Sequence, residues 1–193
     1  MTCARQGSVL ALFGSPRPGG NTDTMMEYFL EGAAREGCVP ERVYLRDLRI
    51  SPCTACDACA ESGRCVIQDD MLPLYGKLQD RRRIVFALPV FFLGPPAVSK
   101  AFIDRAQALW FRRRGQGRAA GGHRRGFLLS AGGFSSEKVF SCNRSIVRAF
   151  FGACGVAYHG EYLLPGMDEY GAVARAPGLR DVLRDLGASF VRE

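Results

Sequence analysis

Apolar stretches of strand length alternate with helical patterns along this chain, and that order admits few folds. Ser8–Phe13 reads as a first strand, the run from Thr22 to Arg35 as the first helix, and Val43–Leu45 as the core of a second strand. A short helix is expected over Met71–Leu78, with Asp69 and Asp70 at its positive N-terminal end. Ile84–Leu88 is a third strand, apolar enough to be buried on both faces. Pro95-Pro96 opens a helix through Phe111, since proline in a first turn loses no needed hydrogen bond. Gly126–Ser130 is strand four, Asn143–Ala153 a helix, Val156–Leu164 strand five, and Leu179–Phe190 the closing helix.

Strands alternating with helices in this way stack as βαβ units on a parallel sheet. Five strands and five helices in this order predict an α/β fold: a flavodoxin-like, doubly wound, five-stranded parallel sheet in three αβα layers. Its ligand belongs at the carboxyl ends of strands one and three. At 193 residues the length suits one core, so residues 1–193 are read as one domain, with a cysteine-rich loop, 51–70, inserted after strand two. No apolar run approaches a membrane span and the N-terminus lacks signal-peptide anatomy, which predicts a soluble cytoplasmic protein without a membrane partner.

The first βα turn, Gly14–Thr22, falls where this topology puts a phosphate. Its glycines allow close backbone approach, Gly20 among them. Ser15, Asn21 and Thr22 offer short polar side chains and Arg17 a charge, while the next helix aims its positive end inward. The turn carries neither the Walker pattern nor GxGxxG. A single phosphate, as in FMN, suits a small hydroxyl-rich loop better than a pyrophosphate does. After strand three, Pro89, Val90, Phe91, Phe92 and Gly94 offer a surface for a flat ring; the competing reading makes both phenylalanines core or interface residues. After strand four, Ala131, Gly132 and Gly133 supply another close-approach turn on the same edge.

Cys53, Cys56, Cys59 and Cys65 fall inside thirteen residues, with two-residue gaps between the first three. Such spacing recurs in iron–sulfur ligation. Zinc, which usually takes two separated pairs, and unmetallated thiols stay open as alternatives. The other cysteines, Cys3, Cys38, Cys142 and Cys154, are expected to be ordinary thiols, because disulfide frameworks belong to small secreted domains. The net charge of +7 owes much to Arg112–Arg114, Arg118, Arg124 and Arg125. That group reads either as a solvated loop or as attraction for an acidic partner. Nucleic acid ranks last, since no recognition motif accompanies the charge. His123 and His159 fall in no motif and read as structural or surface residues.

From Val9 to about Tyr162 the chain resembles the iron–sulfur flavoproteins of the NADPH-dependent FMN reductase-like group. The likeness rests on Gly-Ser-Pro-Arg at 14–17, Gly-Asn-Thr at 20–22, the four cysteines, Asp69-Asp70-Met71, Pro89-Val90-Phe91-Phe92 and Lys100–Arg105. It implies FMN held by the first loop, its ring on the segment after strand three, and a [4Fe-4S] cluster on Cys53, Cys56, Cys59 and Cys65. It also implies a homodimer or homotetramer. Phe91 stands where relatives often carry Tyr, which removes a hydroxyl near the ring.

The expected function is an FMN-dependent oxidoreductase that couples cluster and flavin, with an acidic carrier such as ferredoxin. No side chain is needed as nucleophile or base, because the redox chemistry belongs to the cofactors. The alternative is an NAD(P)H-dependent FMN or quinone reductase with structural or unmetallated cysteines. A third reading, from another class, is a metal-stapled module that binds an acidic partner.

Overall fold

The computed structural model describes residues 8–115 and 123–192, so Cys3 and Arg118 lie outside the described residues. Five parallel strands, β1 (Val9–Phe13), β2 (Glu41–Tyr44), β3 (Arg83–Pro89), β4 (Arg125–Ala131) and β5 (Ala157–Leu164), form one sheet in the order β2-β1-β3-β4-β5. That is the flavodoxin-like order, with its switch point between β1 and β3.

Eight helices flank the described sheet: α1 (Asn21–Arg35), α2 (Ala58–Ser62), α3 (Leu72–Asp80), α4 (Ala97–Arg105), α5 (Gln107–Gly115), α6 (Ser141–Cys154), α7 (Ala172–Arg175) and α8 (Leu179–Arg192). The sheet's side chains alternate with period two, as the pleat requires. Val9, Ala11, Phe13, Val85 and Ala87 pack under α1 and α8, through Met25, Phe29, Leu183 and Phe190. Leu10, Leu12, Ile84, Phe86 and Leu88 face the other layer, against Leu74, Phe102, Leu109, Val147 and Phe151. Burial on both faces explains why the central strands read as unbroken apolar runs.

Three expectations are corrected. The helix expected through Phe111 is two helices, because the Tyr75 hydroxyl donates to the Arg105 carbonyl at 2.9 Å. The amide of Leu109 then bonds Ala106 O instead, and the chain turns at Ala106. The short helices α2 and α7 were not expected; both lie in segments without apolar periodicity. Cys38 is disulfide-bonded rather than a free thiol. No helix among the described residues is long and apolar enough to cross a membrane.

Candidate functional site

The loops after β1, β3 and β4, together with the segment after β5, wall a cleft of about 140 Å³. Ser15, Arg17, Gly20, Asn21 and Thr22 line one side, Pro89, Val90 and Phe91 another, and Ala131, Gly132 and Gly133 a third. Of the expected residues, Phe92 and Gly94 stand outside the wall. Met167, Asp168 and Tyr170 complete it.

The phosphate-sized corner is built by close approach. A Cβ on Gly14 would stand 2.5 Å from Leu88 Cδ2 and from Ser99 Oγ, so only glycine lets the loop leave β1 this tightly. Ser99 Oγ donates to Gly14 O at 2.7 Å and Gly14 N to Ala87 O at 2.8 Å, which ties the loop to α4 and β3. No side chain caps α1, so its first-turn amides point at the cleft end unclaimed. Thr22 Oγ1 is buried there with no hydrogen-bond partner.

Asp23, one residue on, is buried but engaged. Its Oδ2 accepts from Gly19 N at 3.1 Å and from Arg46 Nη1 at 2.9 Å. Arg46 also donates to Ser15 O at 3.3 Å and so braces the loop from behind. Burial pushes the Asp23 carboxyl up, and Arg46 only partly offsets it. The Asn21 side chain is committed elsewhere. Its Nδ2 donates to Met167 O and Glu169 O at 3.0 and 2.8 Å, and its Oδ1 accepts from Val173 N at 3.2 Å. Asn21 therefore fixes the segment after β5.

On the β3 side, Val90 N donates to Ala131 O at 3.0 Å. Asn143, fully buried in α6, donates to Pro89 O at 3.2 Å. Beyond them, Phe91 and Gly94 exchange both backbone hydrogen bonds around Phe92 and Leu93, which take φ of +47° and +64°. Two positive φ values define a turn that normally asks for Asn-Gly. Each bulky residue in that region costs on the order of 1 kcal/mol. Phe92 is wholly exposed, and Phe91 and Leu93 about half exposed, so neither phenylalanine is a core residue.

The cysteine segment lies between β2 and α3, mostly in solvent, with Cys53 and Cys56 exposed and Cys59 and Cys65 half-buried. Ala55 and Asp57 both have positive φ, and residues 52–56 make no backbone hydrogen bond among the described residues. Burial pushes the Cys59 thiol up, and the Cys65, Cys53 and Cys56 sulfurs nearby push the same way. The four thiols share one loop, and among the described residues no three His, Cys, Asp or Glu are placed to hold a metal ion. The donor set itself, four thiolates on one short loop, suits an iron–sulfur group in its chemistry.

The arginine group is not simply a solvated loop. Arg124 donates to the carbonyls of Leu78, Arg81 and Cys154, where the last carbonyls of α3 and α6 need a donor. Arg112 bonds Gln79 at 2.8 Å, and the Arg114 guanidinium lies 5.3 Å from the Trp110 ring centroid.

The family model described as NADPH-dependent FMN reductase matches residues 8–156, which takes in β1 to β4, α1 to α6 and the cleft loops after β1, β3 and β4. The chain belongs to the NADPH-dependent FMN reductase family. Its curated relatives in that family include an iron–sulfur flavoprotein of Archaeoglobus fulgidus, 30% identical over 81% of this chain and 70% of the relative. An iron–sulfur flavoprotein of Methanocaldococcus jannaschii is 37% identical over 52% of each chain, and one of Methanosarcina thermophila 36% identical over 52% of this chain and 53% of the relative. The chain thus spans about half the length of these last two relatives. Among solved structures, an NAD(P)H:quinone oxidoreductase from Methanothermobacter marburgensis superposes with a TM-score of 0.67. It is 18% identical, over 97% of this chain and 99% of the other, which speaks to the fold alone.

In this FMN reductase family member, three contributors to the site escaped the sequence reading. Arg46 and Asn143 sit in ordinary-looking runs and act through contacts distant in sequence. The segment 165–171 did carry a signal. Its Pro165, Gly166 and Gly171 mark a turn-rich stretch directly after β5, on the same sheet edge as the other loops.

Proposed function

We propose that the chain is an FMN-dependent oxidoreductase whose cleft at the carboxyl edge of β1, β3 and β4 holds the flavin's phosphate end. The observation that carries this reading is Thr22 Oγ1, a buried hydroxyl without a partner, beside the uncapped amides of α1 in a glycine cradle. A buried unsatisfied group costs about 1–3 kcal/mol, so a ligand oxygen is the expected partner. Ser15 and Arg17 flank that position. The cleft of about 140 Å³ is below the ~300 Å³ of ordinary ligand pockets, which suits a phosphate and part of a sugar chain. The flat ring then lies over the open rim, between Val90–Phe91 and the backbone of Ala131–Gly133. Bound there, FMN would supply the one- and two-electron chemistry.

The cysteines Cys53, Cys56, Cys59 and Cys65 are proposed as ligands of a [4Fe-4S] cluster that exchanges electrons with the flavin. The relatives' name and the thiolate-only donor set support this. An acidic carrier such as ferredoxin is the proposed donor, the cytoplasm the proposed location, and a homodimer or homotetramer the proposed assembly, in which the exposed Phe92–Leu93 tip would be covered. A second reading, reduction by NAD(P)H with the thiols unmetallated, is favoured by the family's description.

Anaerobic purification with flavin, iron and sulfide quantitation tests the proposal. Thr22→Val should weaken FMN binding by about tenfold or more, measured by quenching of flavin fluorescence, without loss of fold. Unchanged affinity would place the phosphate elsewhere. Cys56→Ser should lose iron and keep FMN. Flavin reduction by NADPH at an unaltered rate in Cys56→Ser would favour the second reading.

A further inference from the structure

We infer that Arg105 is the positioning residue of the cysteine segment. It locks the two ends of that segment together, so the thiols can gather by movement of the stretch between them alone. Arg105 ends α4, and its side chain is fully buried. Its Nη1 donates to Asp69 Oδ2 at 2.6 Å and to Ser51 O at 2.9 Å, and its Nη2 to Asp69 Oδ1 at 3.1 Å and to Ile67 O at 3.3 Å. One guanidinium therefore reaches both the residue before the first cysteine pair and the residues after the last cysteine.

Asp69 closes the same joint from the other side. Its Oδ2 accepts from Ser51 N at 2.9 Å and its Oδ1 from Met71 N at 3.1 Å, so Ser51 is held through both its N–H and its C=O. The Tyr75 hydroxyl, within reach of the Cys65 thiol, fixes the Arg105 backbone by donating to its carbonyl. A buried guanidinium is costly unless its charge is met, and this one spends both Nη groups on the base of a single loop, its Nε–H alone lacking a partner among the described residues.

Above that base the backbone has few ties. Among the described residues, 52–56 make no backbone hydrogen bond, and Ala55 and Asp57 take positive φ. Closing a loop is an entropic cost that must be met before distant ligands can share a centre. Arg105 and Asp69 meet it when the protein folds, so metal binding need order only the segment 52–57. Outer groups that orient ligands in this way change metal affinity by about 10–100-fold when removed.

This inference rests on the proposal that the four cysteines hold iron. Its test uses the full chain, reconstituted anaerobically with iron and sulfide, and follows iron release to a colorimetric ferrous chelator. Asp69→Asn and Arg105→Met should release iron about 10–100-fold faster than wild type while binding FMN with unchanged affinity. Arg105→Lys should restore part of the retention. Emission from Trp110, the protein's one tryptophan, which lines a groove with Cys53, should be quenched on loading and recover at the same rate as iron release. Gly187→Ala, a packing variant in α8, controls for general destabilisation and should release iron at the wild-type rate.

Should Arg105→Met fail to fold, Asp69→Asn, which keeps the side chain's size, gives the same answer. Equal release from wild type and Asp69→Asn overturns the role of this pair and leaves the cluster proposal standing. Wild type that takes up neither iron nor sulfide overturns the cluster proposal, and this one with it.

Discussion

Thr22 and Asp69 show how differently a polar residue can be buried. Thr22 Oγ1 lacks a partner and lies at the wall of the cleft, where a ligand oxygen could satisfy it. Asp69 has every partner it needs. Burial pushes its carboxyl up, but the hydrogen bonds from Arg105 and from the Ser51 and Met71 amides outweigh that and hold it below the usual carboxylate range. The unfolded chain therefore takes up this proton first as pH falls. The stabilisation is complete above about pH 4, near the unfolded value, and is lost as pH drops toward the lower native one. Thermal denaturation from pH 6 downward should show this loss, and Asp69→Asn should flatten the profile below pH 4. A variant that keeps the wild-type slope would mean that other carboxylates govern acid stability.

At the scale of elements, the tightest joint is α1 against α8. A Cβ on Gly32 would stand 1.8 Å from Arg184 O, and one on Gly187 the same distance from Phe29 O. The two backbones approach as closely as two glycines permit. Gly187→Ala must push the helices apart, which costs about 1–3 kcal/mol and lowers the melting temperature by on the order of 5 °C. FMN affinity should not change, because the cleft lies at the strand ends, away from this contact. The break between α4 and α5 was not legible in sequence, since it depends on a hydroxyl from α3 capturing the Arg105 carbonyl. Nothing in the run from Ala97 to Phe111 encodes that. The strands were legible because Ile84–Leu88 and Gly126–Ser130 are buried on both faces and carry almost no polar residue.

For the whole molecule, the net charge of +7 sets a long-range attraction for acidic partners. Part of that charge is internal, since Arg105 and Arg124 serve the fold, so the field available to a partner is smaller than the formula suggests. An acidic protein donor should still reduce the flavin with a second-order rate that falls about tenfold or more from 0.01 to 0.15 M salt, as the screening length shrinks from about 30 to 8 Å. Stopped-flow traces at several ionic strengths would show it. A rate indifferent to salt would point away from an acidic carrier.

The order of strands, the ligand edge and most of the cleft's wall follow from local pattern: period-two burial, glycine after a strand, small polar residues before a helix. Each is a property of a few neighbouring residues, which is why a linear reading reaches them. The contacts that make the cleft and the cysteine loop specific are of another kind. Arg46 on Asp23, Asn21 on Met167 and Arg105 on Ser51 and Asp69 join residues 23 to 146 positions apart. A charged or amide side chain carries no mark of its partner until the sheet stacks the loops together, so only the folded chain decides which polar group is spent on structure and which is left for a ligand.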